Sequence, residues 1–403
     1  MYAFQGENKE PFMPVILVLT SVVGGGHVFR DIAIAKELKK RIPSDHEIVF
    51  ASGGNAYQML KDEGLKVEKI DGIHFEANPG TINFMKFYFM LLWSECVQLF
   101  QIRKLIKKYR PKLIVLDEFF FLTDYCKSWK IPVVFMCDFI GVPRSSWLRN
   151  PLKAGLEAFF DWLLFTHLPR KADQWIYIGD PDHIPRKEWR ERITAENIVA
   201  VEPITKLQYT APPSRDSARD QLGFDQDETV VTVTVGCSGI GEYLLKAVND
   251  AVPQLKKTFE NLRVELICGY GIEPEKLGFH AEKGVNIHGY VQNIEYYYAA
   301  SEAVVLQSGI TSATECLMCG TPMIAVPITG HWEQEHTARY LEKKANTRIV
   351  HGKDVTPDVM ADAICMLFKT PFKKQAYFQG NGHCMAAHGI AGILSHDNFR
   401  PIK

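Results

Sequence analysis

Short apolar runs alternate with longer segments of helical period along most of the chain. Residues 15–19 are followed by 31–40, and 47–51 by 56–63; the runs at 113–116 and 133–136 enclose a short helical stretch. Runs that are apolar at every position, rather than at every second one, fit strands buried on both faces. Helices between such strands make the sheet parallel. After residue 201 the pattern gives way to a polar stretch, 208–220, carrying Pro212, Pro213, Ser214 and Ser217. It then restarts, with strands predicted at 230–235, 263–268, 285–288, 303–306 and 323–326. This predicts an α/β chain of two Rossmann-like halves, with the boundary between them at 202–215 and no repeat of 20–50 residues.

Composition narrows the class without changing this outline. Of 403 residues, 46% are hydrophobic and 23% charged, which excludes disorder and a disulfide-stapled scaffold. Lys and Arg number 46 against 47 Asp and Glu, so the surface as a whole is not built for nucleic acid, and no nucleic-acid partner is expected. Glu7, Lys9 and Glu10 stand where a secretory leader would be basic and then apolar, so no targeting segment is expected. The longest uncharged apolar stretch, 87–94, falls far short of the roughly 20 residues a membrane-spanning helix needs. Nine cysteines, an odd number scattered through apolar segments, suit buried free thiols in a reducing cytoplasm.

In parallel sheets of this kind, ligands sit at the carboxyl ends of the strands and phosphates on helix N-termini. The loop after the first strand reads Thr20-Ser21-Val22-Val23-Gly24-Gly25-Gly26-His27 and opens a helix predicted over 28–40. Three consecutive glycines let the backbone approach a ligand and bare its N–H groups. The loop lacks both the Gly-Lys-Ser/Thr of a triphosphate loop and the spaced glycines of a dinucleotide fingerprint. His27, at the start of that helix, suits a general base or hydrogen-bond donor; the same spacing also suits a tight turn with a helix-capping histidine. The run 113–116 ends in Asp117-Glu118, where Asp117 either orients His27 or caps a helix over 119–127. Asp138 repeats the arrangement one strand later and is the reserve candidate for the base or for gripping an acceptor hydroxyl.

The second half offers similar loops. Gly236-Cys237-Ser238-Gly239 follows a strand and precedes a helix at 242–249, the geometry of a phosphate cradle. Gly289-Tyr290-Val291 follows another strand. Ser308, Gly309, Thr311 and Thr314 line a helix start, with Glu315 about one turn in, within reach of sugar hydroxyls. Glu333 and Gln334 open a further helix. Hydroxyl, amide and carboxylate groups with no lysine nearby in the sequence suit hydroxyl recognition better than triphosphate chemistry.

Residues 285–345 resemble the donor-binding region of the GT-B glycosyltransferases, most closely the family of the enzyme that adds N-acetylglucosamine to lipid I in peptidoglycan synthesis. The family's Ser-Gly helix motif is matched by Ser308, Gly309, Thr311, Thr314 and Glu315, and its Gly-x-Pro by Gly320-Thr321-Pro322. The resemblance implies a GT-B fold with a central cleft, an acceptor-binding domain over 1–204, a nucleotide-sugar-binding domain over 205–378, and a segment, 379–403, crossing back to the first. It gives Glu315 the ribose hydroxyls of a UDP-sugar, Glu333 and Gln334 the sugar, the backbone of 289–291 the uracil, and 236–239 the diphosphate. Gly25, Gly26 and His27 match the family's Gly-Gly-His loop, Gly24 preceding them in the acceptor and phosphate loop, with His27 as base for an inverting transfer of a hexose or N-acetylhexosamine to a hydroxyl, on a lipid-linked or cell-envelope glycan acceptor. The family's diphosphate is held by backbone, so no metal and no cofactor beyond the UDP-sugar substrate are expected. Thr337 stands where the family often has Asn, and Cys237 where it has Gly or Ser. UDP-N-acetylglucosamine 2-epimerases share the Ser-Gly start, but their motif continues into Gln-Glu-Glu where this chain has Ser312-Ala313-Thr314. A non-catalytic nucleotide-sugar-binding partner is disfavoured, because both the Gly-Gly-His loop and the donor motif are present.

The pair in Cys316-Leu317-Met318-Cys319 has no second pair at metal spacing and reads as packing thiols; His331 and His336 lack the spacing of a helical zinc pair. Residues 83–112 join an aromatic half to the basic Arg103, Lys104, Lys107, Lys108, Arg110 and Lys112. This is either a packed helix whose terminal cations complement its dipole, or a patch resting peripherally on an anionic membrane from the cytoplasmic side. The apolar segment 159–165 lies in the same half.

Overall fold

The computed structural model describes residues 13–22, 25–71, 84–140, 151–167, 169–184, 187–195, 198–208, 211–236, 239–344, 346–369 and 380–395. In chain order the first half runs β1 (Val15–Leu19), α1 (Gly25–Leu38), β2 (Glu47–Ser52), α2 (Gly54–Asp62), β3 (Val67–Lys69), α3 (Phe84–Tyr109), β4 (Leu113–Asp117), α4 (Leu122–Ser128), β5 (Val133–Cys137), α5 (Pro151–Trp162), β6 (Gln174–Ile178), α6 (Lys187–Ala195) and β7 (Ile198–Val201). The second runs α7 (Arg215–Leu222), β8 (Thr229–Thr234), α8 (Glu242–Leu255), β9 (Leu262–Ile267), β10 (Val285–His288), α9 (Ile294–Ala300), β11 (Ala303–Leu306), α10 (Ile310–Cys319), β12 (Met323–Ala325), α11 (Trp332–Lys344), β13 (Thr347–Ile349) and α12 (Pro357–Lys369), before the last helix α13 (Gly382–Ser395).

Two all-parallel sheets result, seven-stranded in the order β3-β2-β1-β4-β5-β6-β7 and six-stranded in the order β10-β9-β8-β11-β12-β13. Every residue of β1, β4 and β5 is buried, as the uninterrupted apolar runs require. Each sheet reverses its strand order once, between β1 and β4 in the first and between β8 and β11 in the second. Parallel α/β sheets bind ligands at the carboxyl ends of strands at such switch points. In the first sheet, Leu19 pairs with Leu116 and Asp117 with Met136. The residues that follow β1, β4 and β5 therefore come to one edge.

Apolar side chains pack on both faces of each sheet. Ala386, Ala387 and Ile390 of α13 join the core on the α1 face of the first sheet. A Cβ on Gly382 would lie 2.1 Å from the Glu202 carbonyl oxygen, so the start of α13 docks backbone to backbone on the exit from β7. Glu202 also accepts from the Gly380 amide at 3.0 Å.

Several local expectations are corrected. α1 starts at Gly25, so Gly25 and Gly26 form its first turn rather than a loop before residue 28. The helix expected over 119–127 is α4, whose N-cap is Phe121, so Asp117 caps nothing and ends β4 instead. The helix at 242–249 continues to Leu255. Strands β3, β6, β7 and β13 were not expected from the pattern.

Candidate active site

At the edge of the first sheet, the chemistry gathers around a residue that the sequence did not single out. Arg30 lies one turn beyond His27 on the buried face of α1, a position that reads as surface until the sheet pairing is known. Its Nε donates to Asp117 Oδ2 at 3.2 Å, its Nη2 to Asp117 Oδ1, and its Nη1 to Asp138 Oδ2 at 2.5 Å. Charge-assisted bonds in this forked geometry are strong and directional. Breaking such a buried pair from one side costs about 3–5 kcal/mol.

His27 stands against this cluster. Its Nδ1 is 2.9 Å from Asp117 Oδ2 and 2.7 Å from Arg30 Nη2. With a proton on Nδ1 the ring donates to Asp117; with a lone pair there it accepts from Arg30. Its Nε2 lies 3.6 Å from Glu118 Oε2. Burial and the Arg30 charge pull the imidazole pKa down, but Asp117 and Glu118 together hold it above the usual histidine value. Burial pushes the carboxyls of Asp31 and Glu118 well above the ordinary carboxylate range, helped by the neighbouring acids. Asp138, although buried, is held below that range by Arg30 and His27. The cluster thus sets Asp138, a carboxylate that answers the guanidinium, beside Asp31 and Glu118, whose affinity for a proton is raised.

The second half closes over this edge. A Cβ on Gly26 would lie 2.4 Å from Thr311 Oγ1, so the first turns of α1 and α10 touch across the cleft. Both helices point their N-termini, with unpaired N–H groups and positive dipole ends, at the same space, an arrangement that favours a bound anion. The cleft, counted together with the open space at its mouth, has a volume of about 590 Å³. Its lining includes Gly25, Gly26 and Phe29 from the first half, and Gly236, Tyr290, Val291, Thr311 and Glu315 from the second. Lys206 also lines it, contributed by the linker rather than by either half. The absence of a lysine near the motifs in sequence therefore does not hold in space. The Lys206 ammonium pairs with Glu295 at 2.5 Å and donates to the Gln292 carbonyl at 2.6 Å.

Around the start of α10, Ser308 Oγ, Thr314 Oγ1 and Glu315 Oε1 are buried and have no hydrogen-bond partner in the protein; Glu315 lines the cleft, and Thr314 lines a small pocket with Arg30 and Asp138. Buried polar atoms are nearly always paired, so three orphans around one helix start mark a place for a polar ligand. Burial pushes the Glu315 carboxyl up to about 7, with Lys206 opposing and Glu295 adding. Gly309 precedes α10 in extended conformation, and Gly320 ends it left-handed at φ 69°, which with Pro322 stops the helix and starts β12. The rings of Tyr270 and Tyr290 pack at a tilt of 31° with centroids 4.1 Å apart, and Tyr290 is exposed. Gly289 sits beside Pro274 at the end of β10.

From α11, Glu333 faces the Arg30 cluster. Burial pushes its carboxyl up to about 8, Asp138 pushing the same way and Arg30 the other. Gln334 is engaged locally, its Oε1 accepting the Ile328 amide at 3.0 Å. Cys316 and Cys319 direct their thiols at the carbonyls of Thr321 and Glu295 on the packed side of α10. Gly24, Cys237 and Ser238 lie outside the described residues, while Gly236 and Gly239 both take positive φ, 68° and 75°.

On the outer side of the first half, Trp93, Val97 and Phe100 form an exposed stripe along α3, with Trp93 and Phe100 each 73% exposed. Arg103, Lys104 and Lys107 continue it. Ile102, Leu105, Ile106 and Tyr109 bury the opposite face. The side chains of 84–89 are outside the described residues, and no described helix is long and apolar enough to cross a membrane.

Comparison with known proteins places this geometry. Residues 230–383 match the glycosyltransferase family 28 C-terminal domain. An uncharacterized glycosyltransferase of Methanopyrus kandleri is 24% identical over 293 residues, covering 72% of this chain and 78% of its own. The UDP-N-acetylglucosamine–N-acetylmuramyl-(pentapeptide) pyrophosphoryl-undecaprenol N-acetylglucosamine transferase of Acetivibrio thermocellus is 25% identical over 361 residues, covering 85% and 87%. Among solved structures, Acinetobacter baumannii MurG aligns with a TM-score of 0.53 at 16% identity, over 95% of this chain and 99% of its own. The spinosyn rhamnosyltransferase SpnG, complexed with thymidine diphosphate, aligns at 0.61 and 16%, over 95% and 96%. With residues 230–383 matching the family 28 C-terminal domain and two facing parallel-sheet domains, the chain is a glycosyltransferase of the GT-B fold, similar to the MurG enzymes.

Proposed function

We propose that the chain transfers a hexose or N-acetylhexosamine from a UDP-sugar, with inversion, to a hydroxyl of a lipid-linked or cell-envelope glycan. The observation that carries the donor half of this reading is the orphaned Glu315 oxygen in a cleft onto which two helix N-termini open, with Ser308 and Thr314 orphaned beside it at the start of α10. Ribose hydroxyls would answer Glu315, and the diphosphate would lie between the starts of α1 and α10, near the Gly236 turn. The names of the relatives support a UDP-N-acetylglucosamine donor, and the thymidine diphosphate complex of SpnG supports a nucleoside diphosphate in this cleft. His27, one turn before Arg30 and bonded to Asp117, would take the acceptor proton as the hydroxyl attacks the anomeric carbon. Donors around the leaving diphosphate would offset its growing charge. Single displacement at that carbon inverts it. The Trp93–Phe100 stripe and the basic turn beyond it would rest on an anionic lipid surface that presents the acceptor.

A thermal-shift screen against UDP, GDP, dTDP and their sugars tests the donor. A ligand that binds only the native state at about 100 times its Kd adds roughly 2.7 kcal/mol of stability. A selective rise in Tm with UDP and one UDP-sugar is expected. No rise with any nucleotide would falsify the donor site.

A further inference from the structure

Glu118 has no assigned role, yet it is the residue whose backbone is strained at this edge. Three described non-glycine residues take positive φ: Arg110 at 43°, Lys130 at 57° and Glu118 at 60°. Arg110 and Lys130 follow the ends of α3 and α4, where a left-handed residue commonly closes a helix. Glu118 follows strand β4, where no cap calls for that conformation. Strain of this kind persists where surrounding structure enforces it, and it gathers at functional sites. Its effect here is to turn the side chain back over the edge. Oε2 stands 3.6 Å from His27 Nε2, Oε1 accepts the Asp138 amide at 3.4 Å, and Oε1 is 3.7 Å from Arg30 Nη2. Ligating atoms of His27, Glu118 and Asp138 all lie within 4.8 Å of one another.

The separation of Nε2 and Oε2 is too long for a direct hydrogen bond. An oxygen placed about 2.8 Å from each closes a triangle between them, so one hydroxyl can touch both. Asp117, by contrast, spends both oxygens on Arg30 and meets the imidazole on its other edge.

We propose that Glu118 is a second catalytic residue for the transfer, forming with His27 the pair that receives the acceptor proton, while Arg30 and Asp117 position the ring. This rests on the functional reading above. The acceptor O–H bond breaks and its proton passes to His27 Nε2. The acceptor oxygen bonds to the anomeric carbon, and the bond from that carbon to the diphosphate oxygen breaks, its electron pair leaving on the diphosphate. Once the product leaves, a water in the place of the acceptor oxygen bridges the two, accepting the Nε2 proton and passing one to Glu118 Oε2, which returns it to solvent, to which its side chain is 21% exposed.

The test has two arms. In the first, His27 is titrated by NMR in protein labelled at histidine, assigned by the signal lost in His27→Ala. Glu118→Gln removes a neighbour that stabilises the imidazolium, so the His27 titration moves to lower pH; an unmoved titration overturns the pair. In the second, release of UDP from UDP-N-acetylglucosamine is followed with water as the acceptor. Glu118→Gln and Glu118→Gly each lower kcat by about 10²-fold or more, with little change in KM for the donor. Glycine relaxes the φ of 60°, so Glu118→Gly keeps or raises Tm while losing turnover. Wild-type kcat and pH profile in both variants overturn the proposal, and so does a loss of activity that tracks a loss of Tm. The failure of the underlying reading looks different. There, wild-type protein releases no UDP, or His27→Ala turns over normally, whatever Glu118 does.

Discussion

At the scale of single residues, Glu315 shows how a buried acid couples the cleft to pH. Its carboxyl titrates at about 7 in the folded chain, against about 4.5 when solvated. Between those values the native state holds a proton that the unfolded chain has lost, so stability is greatest at low pH and falls as pH rises from about 4.5 to 7. A gap of this size corresponds to roughly 3 kcal/mol. Ribose hydroxyls that donate to the carboxylate favour its ionised form, so binding of an intact nucleotide sugar, whose diphosphate does not titrate near neutrality, should strengthen as pH rises through 7. Glu315→Gln should therefore gain stability relative to wild type between pH 5 and 8, and its donor affinity should be weaker and flat with pH. Parallel Tm–pH curves for the two proteins would remove Glu315 from this role. The position was legible in sequence because it follows a strand end at one helical turn. Arg30 and Lys206 were not: one is an arginine at an ordinary helical position and the other a lysine in a linker, and only long-range pairing makes either part of the site. Glu118 stood in plain view beside Asp117, but a helix start expected at 119 made both acids look like caps.

Among elements, the contact between the first turns of α1 and α10 is the one on which the cleft depends. Gly26 has no side chain because Thr311 Oγ1 occupies the place where a Cβ would go. Gly26→Ala must push α1 and α10 apart, and displacement of reacting groups by about 1 Å can cost on the order of 10² in rate. Turnover in Gly26→Ala is expected to fall tenfold or more. If UDP is held largely by the second half, as proposed, its affinity should stay within a few fold, and Thr311→Ala on top should restore part of the rate. Equal activity of Gly26→Ala and wild type would show that the cleft works in a more open arrangement. The strands at the two switch points were readable because burial on both faces makes them apolar at every position. Of those the pattern missed, β3, β7 and β13 are short and only partly buried, β3 being Val-Glu-Lys, while β6 is buried on both faces after a half-buried Gln but carries Trp and Tyr in place of an aliphatic run. The same limit displaced the start of α4, since Phe119 and Phe120 are buried in the core before the helix begins.

For the whole molecule, the two halves meet along a second seam, illegible in sequence, that is centred on a histidine from each. His183 ends the turn Pro181–His183 after β6, and His336 lies on α11; their rings are 5.0 Å apart. His183 Nε2 bonds Thr337 Oγ1 at 3.0 Å, His336 Nε2 donates to the His183 carbonyl, and Tyr340 donates to Asp180 Oδ2 at 2.6 Å. Thr337, which departs from the asparagine frequent in the resembling family, is thus used to join the halves. Burial and the facing His336 lower the His183 pKa to about 3, although Asp138 and Asp180 oppose this. Burial lowers that of His336, with Arg339, Lys343 and Arg190 adding to it and the bond to the His183 carbonyl opposing. A seam that holds both rings neutral binds fewer protons than an open one, so its contribution is complete above about 6.5 and weakens as pH falls below that value. The same helix α11 carries Glu333 over the Arg30 cluster, so opening the seam would withdraw it from the site. Small-angle scattering should show a larger radius of gyration at pH 5.5 than at pH 7.5 with secondary structure unchanged. Replacing the pair by His183→Gln and His336→Gln should flatten that difference, and a saturating nucleotide sugar should suppress it in wild type by holding the halves together. A radius that does not change with pH would mean the two sheets stay locked by the linker, α13 and the α1–α10 contact alone.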